Sequence, residues 1–354
     1  MSGSEFRLIL EYIVFCCIIN KMTSLSGILR QPAVRMRQRR VCSATIGWIA
    51  LTTMILAGST TAAFGKQLTE FFSPLSMLFL SEIMLLLFAV LSFGFFPIIK
   101  KLRRVRLHLI LPLAVASVLN GILAPIFWFT GLERTFAINS QLFTNSETIF
   151  LIVFAMLAMH TYPKRAQWFG GFIIFLGLLT VALRGFSEGM TLVSGDAFII
   201  LAGCFFALGG VIIRKYLRRL EPQVIIVVRS CCAIGFFFLL SPFIQHPFAF
   251  ELSMFPLAYL GVLIGYGLIS RFLLVLSYYE SIERLPLATV SLLGTLTVAS
   301  GLLFSHLYLG EPVTWYQGIG ASLIISGAAV MQWGNLRKLQ DHVRHYLQTH
   351  HLHW

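Results

Sequence analysis

Charge is what this sequence has least of: Lys, Arg, Asp and Glu together make up 12% of its 354 residues. Soluble domains carry about 25%, so a water-facing surface of ordinary size cannot be covered. Acid is the scarcer sign, with 14 Asp and Glu against 27 Lys and Arg. Enzyme motifs are missing as well. No glycine-rich loop ends in Lys-Ser/Thr, which excludes direct drive by ATP, and there is no nucleophile elbow or zinc-ligand helix. The loops are too short for a catalytic domain, so no enzyme is expected. The six cysteines (Cys16, Cys17, Cys42, Cys204, Cys231, Cys232) lack metal-finger spacing and read as small buried apolar residues. No cofactor or metal is expected. A signal peptide is lacking too: residues 6–20 are apolar, but Arg7 and Glu11 interrupt them and no basic leader or small-residue cleavage site frames them. They are expected to form a short interfacial or poorly ordered segment, with an eleventh span as the alternative and Met22 and Met36 as alternative starts.

What the sequence has is apolar length. Hydrophobic residues make up 57%, and polar turns divide them into ten runs of bilayer-spanning length. The expected spans are 43–65, 73–98, 109–130, 136–159, 167–185, 195–213, 222–244, 255–278, 285–308 and 313–333. The fold class is therefore an all-α integral membrane protein. Basic residues cluster at alternate turns: Lys100, Lys101, Arg103, Arg104 and Arg106, then Lys164 and Arg165, then Arg214, Lys215, Arg218 and Arg219, then Arg284. Only Lys66, Arg134 and Arg184 fall at the other turns. Retention of positive charge inside puts both termini in the cytoplasm, in a cell membrane. The net charge of +13 then belongs to the membrane surface, and no nucleic-acid partner is expected. Trp48, Trp128, Trp168, Trp315 and Trp333 lie near expected helix ends, where an indole N–H stays wet. Residues 1–42 form a basic N-terminal segment anchored by Arg35, Arg37, Arg39 and Arg40. Residues 334–354 form a basic tail with His342, His345, His350, His351 and His353, lying on the anionic inner leaflet.

The chain also contains itself twice. A slide of about 145 residues puts Ile55-Leu56-Ala57-Gly58 on Ile200-Leu201-Ala202-Gly203, Ala62 on Ala207 and Gly65 on Gly210. A slide of 150 puts Glu133-Arg134 on Glu283-Arg284, Gln167 on Gln317, Gly170 on Gly320 and Gly177 on Gly327. The copies span 43–185 and 195–333. Five segments in each copy force the two to cross the membrane in opposite directions. Such inverted repeats build a site at mid-depth that faces either side in turn. Gly58, Ala62 and Gly65, with their counterparts Gly203, Ala207 and Gly210, form small-residue faces that let helix backbones approach. These faces serve seams within one chain and leave a homodimer open.

Ionisable groups inside spans are costly and face a cavity or a partner. Four stand out: Glu82, Glu147, Arg229 and Arg271. Their number suggests pairing, and Glu82, Glu147 and Arg229 are candidates for coupling or gating. The fourth span is the most polar, with Ser140, Thr144 and Glu147 on one face and Gln141 and Asn145 beside it. Such hydrogen-bonding capacity cannot face lipid, so these residues are expected to line a wet cavity. Thr289, Ser291, Thr295, Thr297 and Ser300 make a milder face on the ninth span. Asn120, Tyr266, Ser270 and Arg271 complete the cavity candidates.

The turn Leu307-Tyr308-Leu309-Gly310-Glu311-Pro312, followed by Gln317-Gly318-Ile319-Gly320-Ala321, resembles the end of an EamA-type repeat. Ser73-Pro74-Leu75, and Pro222 ahead of Arg229, resemble that family's second-helix opening. Over roughly 43–333 the chain resembles the ten-helix EamA branch of the drug/metabolite transporter superfamily. The resemblance implies two inverted five-helix repeats around a central cavity, without a bound cofactor. The implied function is secondary transport or export of small organic solutes (metabolites, amino acids or drugs) by alternating access. A lipid-handling or flippase-accessory role is the alternative. Departures fall in the first repeat, which has His160-Thr161 for Gly310-Glu311 and Ser81-Glu82 for Arg229-Ser230.

Overall fold

The structure, a computed structural model, describes residues 32–159, 164–183, 194–217, 220–243, 248–285 and 287–349. The apolar segment 6–20, His160-Thr161 and the side chains of the arginine anchor and His-rich tail lie outside the described residues. No strand occurs among those described. The chain divides into Met1–Thr45 and Ile46–Trp354. The first unit is described only from Pro32, as the opening turns of a helix, and everything below concerns the second.

Among the described residues, and apart from the short helices Phe95–Leu102 and Phe248–Met254, the rods of the first copy are α1 Pro32–Leu68, α2 Pro74–Phe93, α3 Leu107–Arg134, α4 Ala137–Phe143 with Ser146–Met159, and α5 Arg165–Ala182. The second copy gives α6 Ser194–Tyr216, α7 Pro222–Phe243, α8 Leu257–Tyr278 (helical on to Arg284), α9 Leu287–Gly294 with Leu296–Leu309, and α10 Trp315–Thr349. Among the described residues, α1 through α8 each offer a stretch long and apolar enough to cross a membrane. That is eight, short of the ten expected. α9 is divided into pieces of 8 and 14 residues, and α10 is diluted by Gln317, Gly318, Gly320, Ser322, Ser326 and Gly327. α1 starts at Pro32, eleven residues before the expected span, and α2 stops at Phe93 rather than 98. Gly94 at φ 79° ends it there, a conformation that disfavours any residue with a Cβ.

The duplication is written into the backbone as well as the sequence. Pro74 and Pro222 each open the second rod of their copy, where proline's missing N–H costs nothing. The third rods each contain a π-helical segment, Leu119–Leu123 in α3 and Tyr266–Leu273 in α8. The fourth rods each break at the same place, between Phe143 and Ser146 and between Gly294 and Leu296. Gln167 Oε1 accepts from Lys164 N at 2.9 Å and Gln317 Oε1 from Thr314 N at 2.8 Å. These bonds satisfy an orphan amide at the start of each fifth rod, which explains why glutamine recurs at this offset.

Corresponding rods meet each other head to tail. A Cβ on Gly170 would strike the Gly327 carbonyl, and one on Gly177 would strike that of Gly320. The register therefore runs backwards, and α5 is antiparallel to α10. α2 and α7 behave alike: Leu78 clusters with Ala233, Leu85 and Ala89 with Ile226, and Glu82 bonds Ser230 between them. Rods that match by translation along the sequence yet lie antiparallel in space mean that the copies are inverted. The remaining seams exchange partners reciprocally. Gly58 of α1 lies against Thr297 of α9, and Gly203 of α6 against Ser146 and Glu147 of α4. Small residues at these crossings matter because apolar burial does not drive association in lipid.

Candidate functional site

Glu82 on α2 is fully buried. Its Oε1 accepts from Arg229 Nη2 of α7 at 2.9 Å and from Arg271 Nη2 of α8 at 2.5 Å. Its Oε2 accepts from Ser230 Oγ at 2.7 Å. Under the internal repeat Glu82 corresponds to Ser230, so the cluster sits on the relation that exchanges the copies. The π-helical segment of α8 carries Tyr266, Ser270 and Arg271, and that of α3 carries Asn120 and Gly121. Such widened turns re-aim side chains and recur at functional sites. Gly121 is where Arg229 crosses α3: a Cβ there would meet both its side chain and its carbonyl oxygen. Gly267 gives Met84 the same close passage on α8.

The arithmetic of charge is unbalanced. Two guanidiniums share one carboxylate, and neither has a second acidic partner among the described residues. Arginine does not deprotonate in proteins, so one positive charge is left over at membrane depth. On insertion scales an unpaired arginine at a helix centre costs about 2.5–3.5 kcal/mol. Neither arginine is sealed away: the side chains are 20% and 18% exposed. The Nε atoms of both are buried without a partner, as are Asn120 Oδ1 and Tyr266 Oη.

Beside the cluster lies a cavity of about 430 Å³, within the range of small-molecule sites. Its polar lining includes Asn120, Arg229, Thr297 and Tyr278, and its apolar lining includes Met54, Ile213, Ile225, Ile226, Leu274 and Val275. Its lining residues Ile213, Ile225 and Tyr278 lie within about two turns of the helix ends that bear Arg214, Lys215 and Arg284, called here the basic end. The opposite end is tied between copies. Glu311 Oε1 and Oε2 accept from Ala137 N at 2.7 Å and Ile138 N at 2.9 Å, capping α4 from the α9–α10 turn. Gln317 donates to Asn139 at 2.7 Å, Thr135 to Asp196 at 2.5 Å, and Tyr308 to Gln67 at 2.6 Å. Within the first copy, Lys66 donates to the carbonyls of Leu132 and Glu133 in the last turn of α3. Phe71, Phe72, Phe248, Phe255 and Tyr259 fill the space between with ring-to-ring contacts.

Of the residues singled out in the sequence, Asn120 and Arg229 line this cavity, and Glu82 and Arg271 join Arg229 in the charge cluster. Ser270 bonds Thr60 of α1 at 2.7 Å, and Tyr266 is buried. The polar residues of α4 are placed elsewhere. Asn145 donates to the carbonyls of Gln141 and Leu142 at 3.1 and 3.2 Å. Thr144 donates to Ser140 O at 2.8 Å and accepts from Trp128 Nε1 at 3.3 Å. Gln141 donates to Thr297 O at 3.2 Å. These bonds serve the broken helix and its contact with α9. Trp128 thus finds its partner inside the bundle rather than in water. Glu147 is half-buried where α6 comes closest at Gly203. Residues missed in the sequence are Ser117 and Tyr278, yet each has a signal: Ser117 precedes Asn120 by three positions, and Tyr278 follows Arg271 by seven, so each shares its neighbour's helix face. Among the described residues no group of three or more His, Cys, Asp or Glu could hold a metal.

The profile of the EamA-like transporter family matches residues 45–183 and again 193–333, the two copies found above. An uncharacterized transporter of Methanothermobacter thermautotrophicus is 28% identical over 65% of this chain and 66% of its own length. One from Synechocystis is 22% identical over 65% of this chain and 67% of its own. YyaM of Bacillus subtilis, also called an uncharacterized transporter, is 24% identical over 56% and 66%. The chain thus spans about two thirds of these relatives, just under that share for the first and the third. A solved crystal structure aligns over 82% of this chain and 96% of its own with a TM-score of 0.56 at 17% identity, a likeness of fold alone.

Proposed function

Because this chain belongs to the EamA-like transporter family, we propose that it carries small organic solutes across a cell membrane by alternating access. The observation that carries this reading is the asymmetry between the two ends of an inverted pair of repeats. One end is closed by contacts between copies, while the cavity reaches toward the other. Inverted repeats can exchange conformations, so a bundle closed at one end has a counterpart closed at the other. The glycine crossings of α1 with α9 and α6 with α4 are the seams along which the copies would move. Positive charge retained inside puts the basic end in the cytoplasm, which makes this the inward-facing state. Solute would bind beside Arg229 and Asn120. Glu147, for which no ion pair occurs among the described residues, is the candidate for proton coupling, and α4 transmits the movement.

Reconstitution tests this directly. Purified protein in liposomes, offered leucine, hexanoate, uridine or ethidium under an imposed gradient, is expected to produce saturable flux of at least one of them. Folded protein that passes none of the four under gradients of either sign would sink the reading.

A further inference from the structure

We propose that the cavity selects a small monoanionic solute with an apolar body, of the monocarboxylate class, its anionic head on Arg229 and Asn120 and its body against Ile213, Ile225, Leu274 and Val275. This deepens the transporter reading and rests on it. Three observations converge. The Arg229–Glu82–Arg271 cluster carries one net positive charge that no other group among the described residues neutralises. Arg229 is the member that lines the cavity, and only its Nη2 has a partner. The free edge of the guanidinium fork suits a carboxylate, since planar N–H pairs match planar oxygen pairs.

Asn120 lines the same cavity, and its Oδ1 is buried without a partner. Its oxygen and nitrogen are interchangeable in assignment, so the amide can turn an N–H toward an anion. α6 crosses at Gly209, directly against this carboxamide, and holds it in place. The rest of the lining is mostly branched aliphatic, which rewards an apolar body and offers no acid to a cation. One surplus charge matches one negative charge, which favours a monoanion over a dianion such as a phosphate monoester.

The test uses the full-length purified chain and four probes with one body and different heads: hexanoate, hexanamide, hexylamine and hexyl phosphate. Thermal unfolding reports binding, because a ligand of the folded state raises apparent stability by mass action. Hexanoate is expected to give a saturable rise, with the other three giving little. In Arg229→Gln its affinity should fall roughly tenfold or more, the loss of a charge-assisted contact. Should Arg229→Gln fail to fold, Asn120→Ala and the cavity-filling Ile225→Trp provide the same comparison without touching the ion pair. Equal shifts from hexanamide, a preference for hexylamine or hexyl phosphate, or hexanoate binding unchanged in these variants would overturn the proposal. Its failure is separable from that of the transporter reading. Flux of leucine, uridine or ethidium with no hexanoate binding or competition removes the anion site alone. Saturable hexanoate binding that needs Arg229, with no flux of any solute, leaves the site and removes transport.

Discussion

Glu82 shows that a conspicuous residue can announce its need for a partner without naming it. A carboxylate in mid-span demands a partner, and so do Arg229 and Arg271, but which meets which is set by contacts 147 and 189 residues apart in sequence. The α4 residues teach the converse. Asn145 and Thr144 satisfy themselves on carbonyls three and four residues back, a local option open to short polar side chains. A run of polar residues therefore marks a wet cavity and a self-bonded helix equally well. Two predictions belong here. Glu82→Gln leaves two partly buried guanidiniums without a counter-charge and is expected to cost up to about 3–5 kcal/mol, read as a fall in thermal stability. Adding Arg271→Met should return part of that loss; strict additivity of the two changes would mean that the pair does not interact. Glu147→Gln is expected to flatten the pH dependence of flux while leaving the unfolding temperature near that of the parent. A retained pH profile would remove Glu147 from coupling.

At the scale of elements, the internal repeat was the most legible feature because glycine and glutamine recur where backbones cross and helices start. Gln167 and Gln317 cap matching helix starts, and Gly170, Gly177, Gly320 and Gly327 make one antiparallel crossing. The π-helical turns of α3 and α8 and the breaks in α4 and α9 were not legible, since apolar periodicity blurs over a single displaced turn. Replacing Gly170 by alanine drives a methyl into the Gly327 carbonyl. Overpacking of this kind costs about 1–3 kcal/mol, so a clear drop in folded yield or melting temperature is expected; no change would mean that this crossing is loose. Glu311 departs from His160-Thr161 in the other copy, and the structure gives it work at one end only, capping α4. Glu311→Ala should lose about 0.5–2 kcal/mol of cap and loosen the tied end, measured as faster thiol labelling of a cysteine placed at Asn139. Unaltered labelling would show that the cap does not hold that end shut.

For the whole molecule, an inverted pair with one end tied and a cavity toward the other makes a statement about motion: the ties must open for solute to cross. Thr135 at the α3–α4 turn and Asp196 at the start of α6 face each other across the copies, side chain to side chain at 2.5 Å, so a bridge between cysteines at these two positions would lock that end. The measurement is flux through liposomes containing Thr135→Cys with Asp196→Cys, in a chain whose six native cysteines are replaced by alanine, before oxidation, after it, and after reduction. If the ties must open for solute to cross, flux stops when the bridge forms and returns when it is reduced. Undiminished flux through the oxidised protein, with the bridge verified, would contradict it.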